Sequence, residues 1–262
     1  MNYGALLMAL LTYIVVAVSL AGTAWHLWNW ARVPLPFRLT IFPAAKNQRR
    51  AIAAVVWETL TFRSLWHGNK EAWASAWFFH AFLAFCLIGH AVGVATLGLQ
   101  FCLLGFSAAR SMALSRLFGA IMGILLLLSL TYLLGRRLAL AHLRLISRPG
   151  DYFILVLLLA IVISGNWMRF FNEVDYAAVH DFLAGILTFK PVPPPDNPFF
   201  IIHYILVMFL LMYFPVSKMV HTCGFFFSRW IISRYYPRQT HLALQPHRWT
   251  QNRYFPRQVT LK

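Results

Sequence analysis

Charged residues are scarce in this sequence, and acidic residues are the scarcest. Asp, Glu, Lys and Arg together make up 11% of the 262 residues, and only 7 residues are Asp or Glu. A soluble globular domain carries roughly a quarter charged residues, so the composition excludes an ordinary soluble protein. The shortage of acids also argues against a cation transporter or channel, because such a protein needs carboxylates at depth in the membrane.

Cysteine is nearly as rare, and positive charge is missing from the N-terminal region. The three cysteines (Cys86, Cys102 and Cys223) form no CxxC motif, which excludes a disulfide framework and an iron–sulfur cluster bound by this chain. Residues 1–25 contain no Lys or Arg, whereas a secretory signal peptide needs a positively charged start. The apolar run 6–20 is therefore predicted to be part of an uncleaved first helix.

Long apolar runs dominate the rest of the chain, and hydrophobic residues make up 60% of it. A membrane-spanning helix needs about 20 mostly apolar residues. Five segments meet this requirement, at about 4–28, 74–99, 112–134, 152–171 and 199–223. The fold class that we predict is all-α: a polytopic membrane protein whose five transmembrane helices form one domain over residues 1–230. A basic, aromatic cytoplasmic tail is predicted over residues 231–262.

The formal net charge of +16 is concentrated between the apolar spans. Most Lys and Arg residues lie in 29–73, in 135–151 and after the fifth span. By the positive-inside rule, the N-terminus is predicted to be outside and the C-terminus in the cytoplasm of a bacterial or archaeal cell, with the chain in the cytoplasmic membrane. This distribution predicts contact with membrane lipid and no binding of nucleic acid.

Three connecting segments carry local structural signals. Residues 147–151, which read Ser-Arg-Pro-Gly-Asp, are typical of a turn and cap that open a helix. Residues 50–66 alternate apolar and charged groups, which predicts an amphipathic helix on the inner membrane surface. Residues 191–198 are rich in proline and predict a stiff outer linker before the fifth span.

Four histidines lie within the second and fifth spans. Those spans are predicted to be antiparallel, so His90 and His203 should share the outer level and His80 and His221 the inner level. Polar groups inside a membrane are costly and usually functional. The spacings of 10 and 18 residues are unequal, and a bend at Pro215 is expected to reduce the difference. Spacing alone leaves a simpler alternative open, in which the histidines are hydrogen-bonded polar groups of a passive anchor.

The chemistry of such a pairing is that of two stacked haems. A haem iron with two axial histidines has no open coordination position, so it passes single electrons instead of binding oxygen or substrate. Two such sites at different depths would conduct electrons between the two faces of the membrane.

The two histidine segments also carry a family resemblance. His80-x9-His90 in one span is combined with a second stretch from His203 to His221, which ends in Phe214-Pro215-Val216-Ser217-Lys218-Met219-Val220-His221. The chain resembles the respiratory nitrate reductase gamma-subunit family of dihaem cytochromes b. Within it, the chain is most similar to the DsrM-type subunit of the membrane complex associated with dissimilatory sulfite reduction. That second similarity is carried by the Pro-rich linker, Phe189-Lys190-Pro191 and Cys223-Gly224-Phe225-Phe226-Phe227.

The resemblance implies cofactors, partners and an activity. It implies two b haems, with His90 and His203 as axial iron ligands of the outer one and His80 and His221 as those of the inner one. It implies the quinone pool, with menaquinone expected, and a cytoplasmic iron–sulfur subunit related to heterodisulfide reductase, and it leaves room for further membrane and multihaem cytochrome c subunits. The chain would then be the electron-transfer subunit of a quinone-linked oxidoreductase in sulfur metabolism. The alternatives are a nitrate reductase gamma subunit and a non-redox anchor or transporter.

The resemblance also implies a quinone site beside the outer haem, formed by Gly89, His90 and Arg110. The family has a basic residue, usually lysine, 20 positions after the outer ligand, and Arg110 occupies that position here. Arg110 could equally extend to lipid headgroups. Lys218 is a candidate partner of a haem propionate or an anchor at the membrane interface. His180 could accept protons from quinol, although a solvated loop histidine is the simpler interpretation.

Overall fold

The computed structural model describes residues 3–32 and 47–232, apart from the side chains of Trp230 and Ile232. All regular secondary structure in these residues is helical. The α-helices are α1 (Tyr3–Arg32), α2 (Gln48–Thr61), α3 (Arg63–Gly68), α4 (Lys70–Ala95), α5 (Ala108–Ala139), α6 (Ala141–Ile146), α7 (Pro149–Phe170), α8 (Tyr176–Leu187), α9 (Pro198–Tyr213) and α10 (His221–Ile232).

Five of these segments are long and apolar enough to cross a membrane, which confirms the predicted multi-pass architecture. They are α1, α4, α5, α7 and the segment Pro198–Val216, which begins with α9. Many of their large apolar side chains are exposed. In water such a surface would be unstable, but in a bilayer it faces lipid tails of the same polarity.

Side-chain caps fix where several of the spans begin. Asn69 accepts a hydrogen bond from the Ala72 amide at 2.9 Å before α4, and Asn197 accepts from two amides before α9. The predicted cap at 147–151 is confirmed, because α7 begins at Pro149 and the Asp151 carboxylate accepts from the Arg148 amide at 3.0 Å. Each cap satisfies an amide that has no partner in the first helical turn.

The predicted fifth span does not continue as a single helix beyond Tyr213. We expected one helix through 199–223 with a bend at Pro215, but α9 ends at Tyr213 and α10 begins only at His221. Between them lie two short 3₁₀ turns separated by Ser217, whose backbone is extended. Pro215 cannot donate the amide hydrogen bond that would continue the helix, and the Ser217 hydroxyl accepts from the Met219 amide at 3.1 Å.

A further helix, α8, lies between the predicted fourth and fifth spans. The Asp175 side chain caps it by accepting from the Ala177 amide at 2.9 Å. Phe182 on α8 is fully buried and packs edge-on against Tyr204. α8 therefore belongs to the hydrophobic core, and the Pro-rich segment follows it as an irregular connection up to α9.

The chain divides into two compact units, and the larger comprises residues 1–26 and 62–221. In this unit α4 packs on α5, α5 on α7, and α7 on α9. One core cluster joins α1, α8 and α9, and it is closed by a hydrogen bond between Thr12 and Tyr204. A second cluster is centred on Leu126, Leu130, Leu155 and Leu158 of α5 and α7.

The second unit comprises residues 27–61 and 222–262. Trp30 lies against Phe227 with ring centres 6.2 Å apart, and Arg229 forms an ion pair with Glu58 at 3.5 Å. The helix predicted over 50–66 is present as α2 and α3, which are separated at Phe62. Its location on the membrane surface stays a prediction. Residues 33–46 and most of the predicted tail 231–262 lie outside the described residues.

Candidate functional site

His90 of α4 and His203 of α9 face each other. Their ring centres are 6.4 Å apart and the two ring planes are nearly parallel, at 4°. His90 lies near the end of α4, and His203 lies in the second turn of α9. The structure therefore brings together the two residues that the sequence places at one level.

His80 and His221 form the other pair. Their ring centres are 6.0 Å apart and their planes are nearly perpendicular, at 84°. The helical repeat of 18 residues does not explain this placement, because the helix is interrupted between His203 and His221. His221 instead reaches His80 as the first residue of α10, after the chain has passed through the two 3₁₀ turns.

In all four histidines, Nδ1 lies within hydrogen-bond distance of a backbone carbonyl. The Nδ1 atoms of His80 and His90 lie 2.7 and 2.6 Å from the carbonyls four residues earlier. Nδ1 of His221 lies 2.7 Å from the Lys218 carbonyl, and Nδ1 of His203 lies 3.0 Å from the Ile161 carbonyl. A carbonyl oxygen only accepts hydrogen bonds, so each Nδ1 carries the hydrogen and each neutral ring keeps its Nε2 lone pair free.

This arrangement fits two axial donors to one metal ion. A histidine nitrogen binds a metal at about 2.0–2.1 Å, so two imidazoles on opposite sides of one ion have ring centres about 6.3 Å apart. The observed separations of 6.4 and 6.0 Å are close to this value. Metal-binding histidines commonly donate their other N–H to a carbonyl, as all four do here.

A bare metal ion would need more donors than either pair provides. No group of three or more His, Cys, Asp or Glu side chains among the described residues could hold such an ion. A haem supplies its own four equatorial nitrogens and requires only the axial ligands from the protein. The two-donor sites are therefore suited to haem and not to a structural metal.

Helix α7 orients His203 from the side. The Ser164 hydroxyl lies 3.0 Å from His203 Nδ1 and itself donates to the Ile161 carbonyl at 2.9 Å. A Cβ on Gly165 would lie 3.2 Å from His203 Cε1, so a side chain here would require the ring to shift by a few tenths of an ångström. Sequence reasoning missed these residues. A serine whose hydroxyl bonds to a backbone carbonyl of the preceding turn is common in membrane helices, so the sequence does not indicate that Ser164 contacts a histidine.

The His80–His221 pair lies beside aromatic rings and an ion cluster. Phe62 and Phe79 contact the His80 ring with centre separations of 5.2 and 4.9 Å. Lys218, whose carbonyl accepts from His221, places its Nζ 2.6 Å from the Asp151 carboxylate. Arg137 lies 3.3 Å from the same carboxylate, and the Asp151 side chain is only 8% exposed. Lys218 thus has a protein partner, which the sequence did not predict.

The predicted quinone residues lie at the surface of the described chain. Gly89 and His90 are exposed, and a Cβ on Gly89 would meet no atom within 4 Å. Arg110 is also exposed, in the first turn of α5. Within residues 3–32 and 47–232 it forms no hydrogen bond or ion pair with His90 or His203. The structure thus leaves open space beside His90 but does not connect Arg110 to it.

An open cavity of about 420 Å³ lies beyond the end of α4 that carries His90. Its lining combines apolar side chains with an ion pair between Arg116 and Glu173 at 2.9 Å. His180, on α8, is partly exposed and lies 3.1 Å from the Asp181 carboxylate. The cavity was not predicted, because its lining comes from three separate parts of the chain.

Known proteins share this sequence pattern over most of the chain. The family model of the nitrate reductase gamma subunit matches residues 26–236. An Hdr-like menaquinol oxidoreductase cytochrome b-like subunit of Archaeoglobus fulgidus is 30% identical, over 86% of this chain and 78% of that protein. The subunit with the same description from Archaeoglobus profundus is 28% identical, over 83% of this chain and 76% of that protein. These findings confirm the resemblance to DsrM-type cytochromes b, and the chain belongs to the nitrate reductase gamma-subunit family.

Proposed function

We propose that this chain is the membrane cytochrome b subunit of a quinone-linked oxidoreductase and that it holds two b haems. His90 and His203 are the axial ligands of the outer haem, and His80 and His221 are those of the inner haem. One observation carries the proposal: both pairs have the ring separation of two axial imidazoles, and all four Nδ1 atoms are engaged with backbone carbonyls, which leaves each Nε2 lone pair available to a metal.

The ligand set determines the kind of chemistry. A bis-histidine haem supplies reversible one-electron transfer and offers no position for oxygen or substrate. The residues of this chain hold the ligand rings in one tautomer through backbone carbonyls. The function is therefore electron transfer between two partners, with the chemistry of each partner performed elsewhere in the complex.

We assign the quinone pool to the outer side, in a site that includes Gly89, His90 and Arg110. The open space at Gly89 allows a flat ring to approach, and a guanidinium can donate hydrogen bonds to a quinone oxygen. The open cavity lined by Arg116 and Glu173 does not include Gly89, His90 or Arg110, so it is not part of the assigned site. The names of the Archaeoglobus relatives support menaquinone as the quinone.

We assign a cytoplasmic iron–sulfur subunit related to heterodisulfide reductase to the inner side. The description of the relatives as Hdr-like supports this partner, and dissimilatory sulfur metabolism is the setting that it favours. Lys218 and the basic tail 231–262 come at or after the end of the fifth span in the sequence, on the side that the charge distribution assigns to the cytoplasm. In this proposal Lys218 contacts a propionate of the inner haem and the tail contacts the partner or lipid headgroups.

A nitrate reductase gamma subunit is the second candidate, and the family model that matches residues 26–236 favours it. The two candidates share the same haem ligands and differ only in the partner. Affinity purification of the tagged chain from its native membrane separates them, because the first candidate should carry an iron–sulfur subunit related to heterodisulfide reductase and the second a nitrate reductase.

The haem content of the purified chain tests the proposal directly. We expect two low-spin b haems per chain, measured as the pyridine haemochrome relative to protein. A folded preparation that binds no haem would contradict the proposal and would leave a passive membrane anchor as the better account.

A further inference from the structure

His203 differs from the other three histidines in what holds its ring. His80, His90 and His221 bond to carbonyls three or four residues earlier in their own segment. His203 bonds instead across to α7, where its Nδ1 lies 3.0 Å from both the Ile161 carbonyl and the Ser164 hydroxyl. Its orientation thus depends on a helix that contributes none of the four histidines.

The Ser164 hydroxyl is placed to accept from the His203 ring. Its own hydrogen is donated to the Ile161 carbonyl at 2.9 Å, which leaves an oxygen lone pair for the His203 N–H. Ser164 is buried, with 8% of its surface exposed. Water does not compete with a buried hydrogen bond of this kind, so the bond between Ser164 and the His203 ring is expected to persist.

We propose that Ser164 is a positioning residue that lowers the reduction potential of the haem held by His90 and His203. An acceptor on Nδ1–H makes an imidazole a stronger electron donor to the metal, and the oxidised iron gains more from this than the reduced iron. Nothing comparable acts on the other three histidines in the described residues, whose Nδ1 atoms have a single backbone acceptor each. The inference rests on the proposed function, since it requires a haem at this pair.

Redox titration of Ser164→Ala tests the inference. The visible absorbance of the purified chain is followed against applied potential, with both haems present and again in a His221→Ala background, which leaves only the His90–His203 haem. In Ser164→Ala we expect the equilibrium constant for reduction of that haem to rise by up to tenfold. This corresponds to a shift of about 59 mV to higher potential for one electron. The potential of the other haem should not change.

Two further variants separate a hydrogen-bond effect from a packing effect. Ser164→Thr keeps the hydroxyl and should retain the wild-type potential. Ser129→Ala is the matched control, because Ser129 makes the same bond to a carbonyl three residues earlier, in α5, without contacting a histidine. It should change neither potential. Ser164→Cys replaces the hydroxyl by a weaker acceptor of similar shape and should give an intermediate shift in potential. This variant keeps the test available if Ser164→Ala fails to fold.

The outcomes are distinct. A selective shift of the His90–His203 haem to higher potential supports the inference. Where Ser164→Ala loses that haem, the potential measured in Ser164→Cys decides. Wild-type potentials in Ser164→Ala or Ser164→Cys, an equal shift of both haems, or a shift to lower potential would overturn it while leaving the proposed function intact. Absence of haem from the wild-type chain would instead overturn the proposed function itself.

Discussion

At the scale of single residues, the sequence identifies the four histidines but not how each ring is held. Histidines are conspicuous in apolar spans, and the carbonyls bonded by His80 and His90 follow from helix geometry alone. The partner of His203 could not be predicted, because it lies 42 residues away on α7. Such a contact depends on how α7 and α9 pack, which local sequence patterns do not contain.

Gly165→Ala should weaken the binding of the haem at the His90–His203 pair. The new Cβ would lie 3.2 Å from His203 Cε1, and moving the ring away would lengthen its bonds to Ile161 and Ser164. Overpacking of this kind costs about 1–3 kcal/mol. The measurement is the haem-to-protein ratio during extraction with a haem-binding competitor, where one haem should be lost earlier than in the wild type.

Gly135→Ala is the control for that substitution. A Cβ at Gly135, in α5, meets no atom within 4 Å, and alanine is a better helix former than glycine. Haem retention should therefore equal that of the wild type. Equal retention in the Gly165 variant as well would show that the ring of His203 is not confined by α7.

At the scale of elements, composition predicts the spans well and their ends poorly. The apolar runs are long enough that five spans follow from sequence, whereas the end of α9 depends on tertiary contacts. A Cβ on Gly22 of α1 would lie 2.6 Å from the Pro215 ring, so α1 packs closely on the interruption. The helix α8 was missed because Pro and acidic residues around it suggested a loop, although the spacing of Val179, Phe182, Leu183 and Ile186 is helical.

Asp151→Asn should loosen the segment that presents His221. The Asp151 carboxylate joins the start of α7 to Lys218 at 2.6 Å, and the Lys218 carbonyl orients His221. A hydrogen bond between charged groups contributes about 1.5–3 kcal/mol, and the exposure of the Lys218 side chain places the expected loss at the low end. We expect reduced occupancy of the haem at the His80–His221 pair, measured as haem per protein.

Glu71→Gln is the matched control for Asp151→Asn. Glu71 also forms an ion pair between two helices, with Arg136 at 2.9 Å, but its side chain is 59% exposed. Exposed ion pairs contribute little to stability. Both haems should stay at wild-type occupancy in this variant, and a loss equal to that of Asp151→Asn would refute a specific role of Asp151 beside His221.

At the scale of the whole molecule, the family and five helical segments long and apolar enough to cross a membrane are established, and the orientation in the membrane is a prediction from charge. Cys102 lies in the short 3₁₀ turn between α4 and α5 and is exposed. The positive-inside rule places this turn outside the cell. A membrane-impermeant maleimide should therefore label Cys102 in intact cells, and Cys102→Ser should abolish that labelling. Labelling that requires opened membranes would reverse the assigned orientation.

The most direct test of the central claim is the haem content of double histidine variants. If each pair holds one haem, His90→Ala with His203→Ala removes both ligands of a single site and should leave one haem per chain. His80→Ala with His90→Ala removes one ligand from each site and should leave none. Loss of both haems in the first variant, or retention of one in the second, would contradict the pairing of the four histidines.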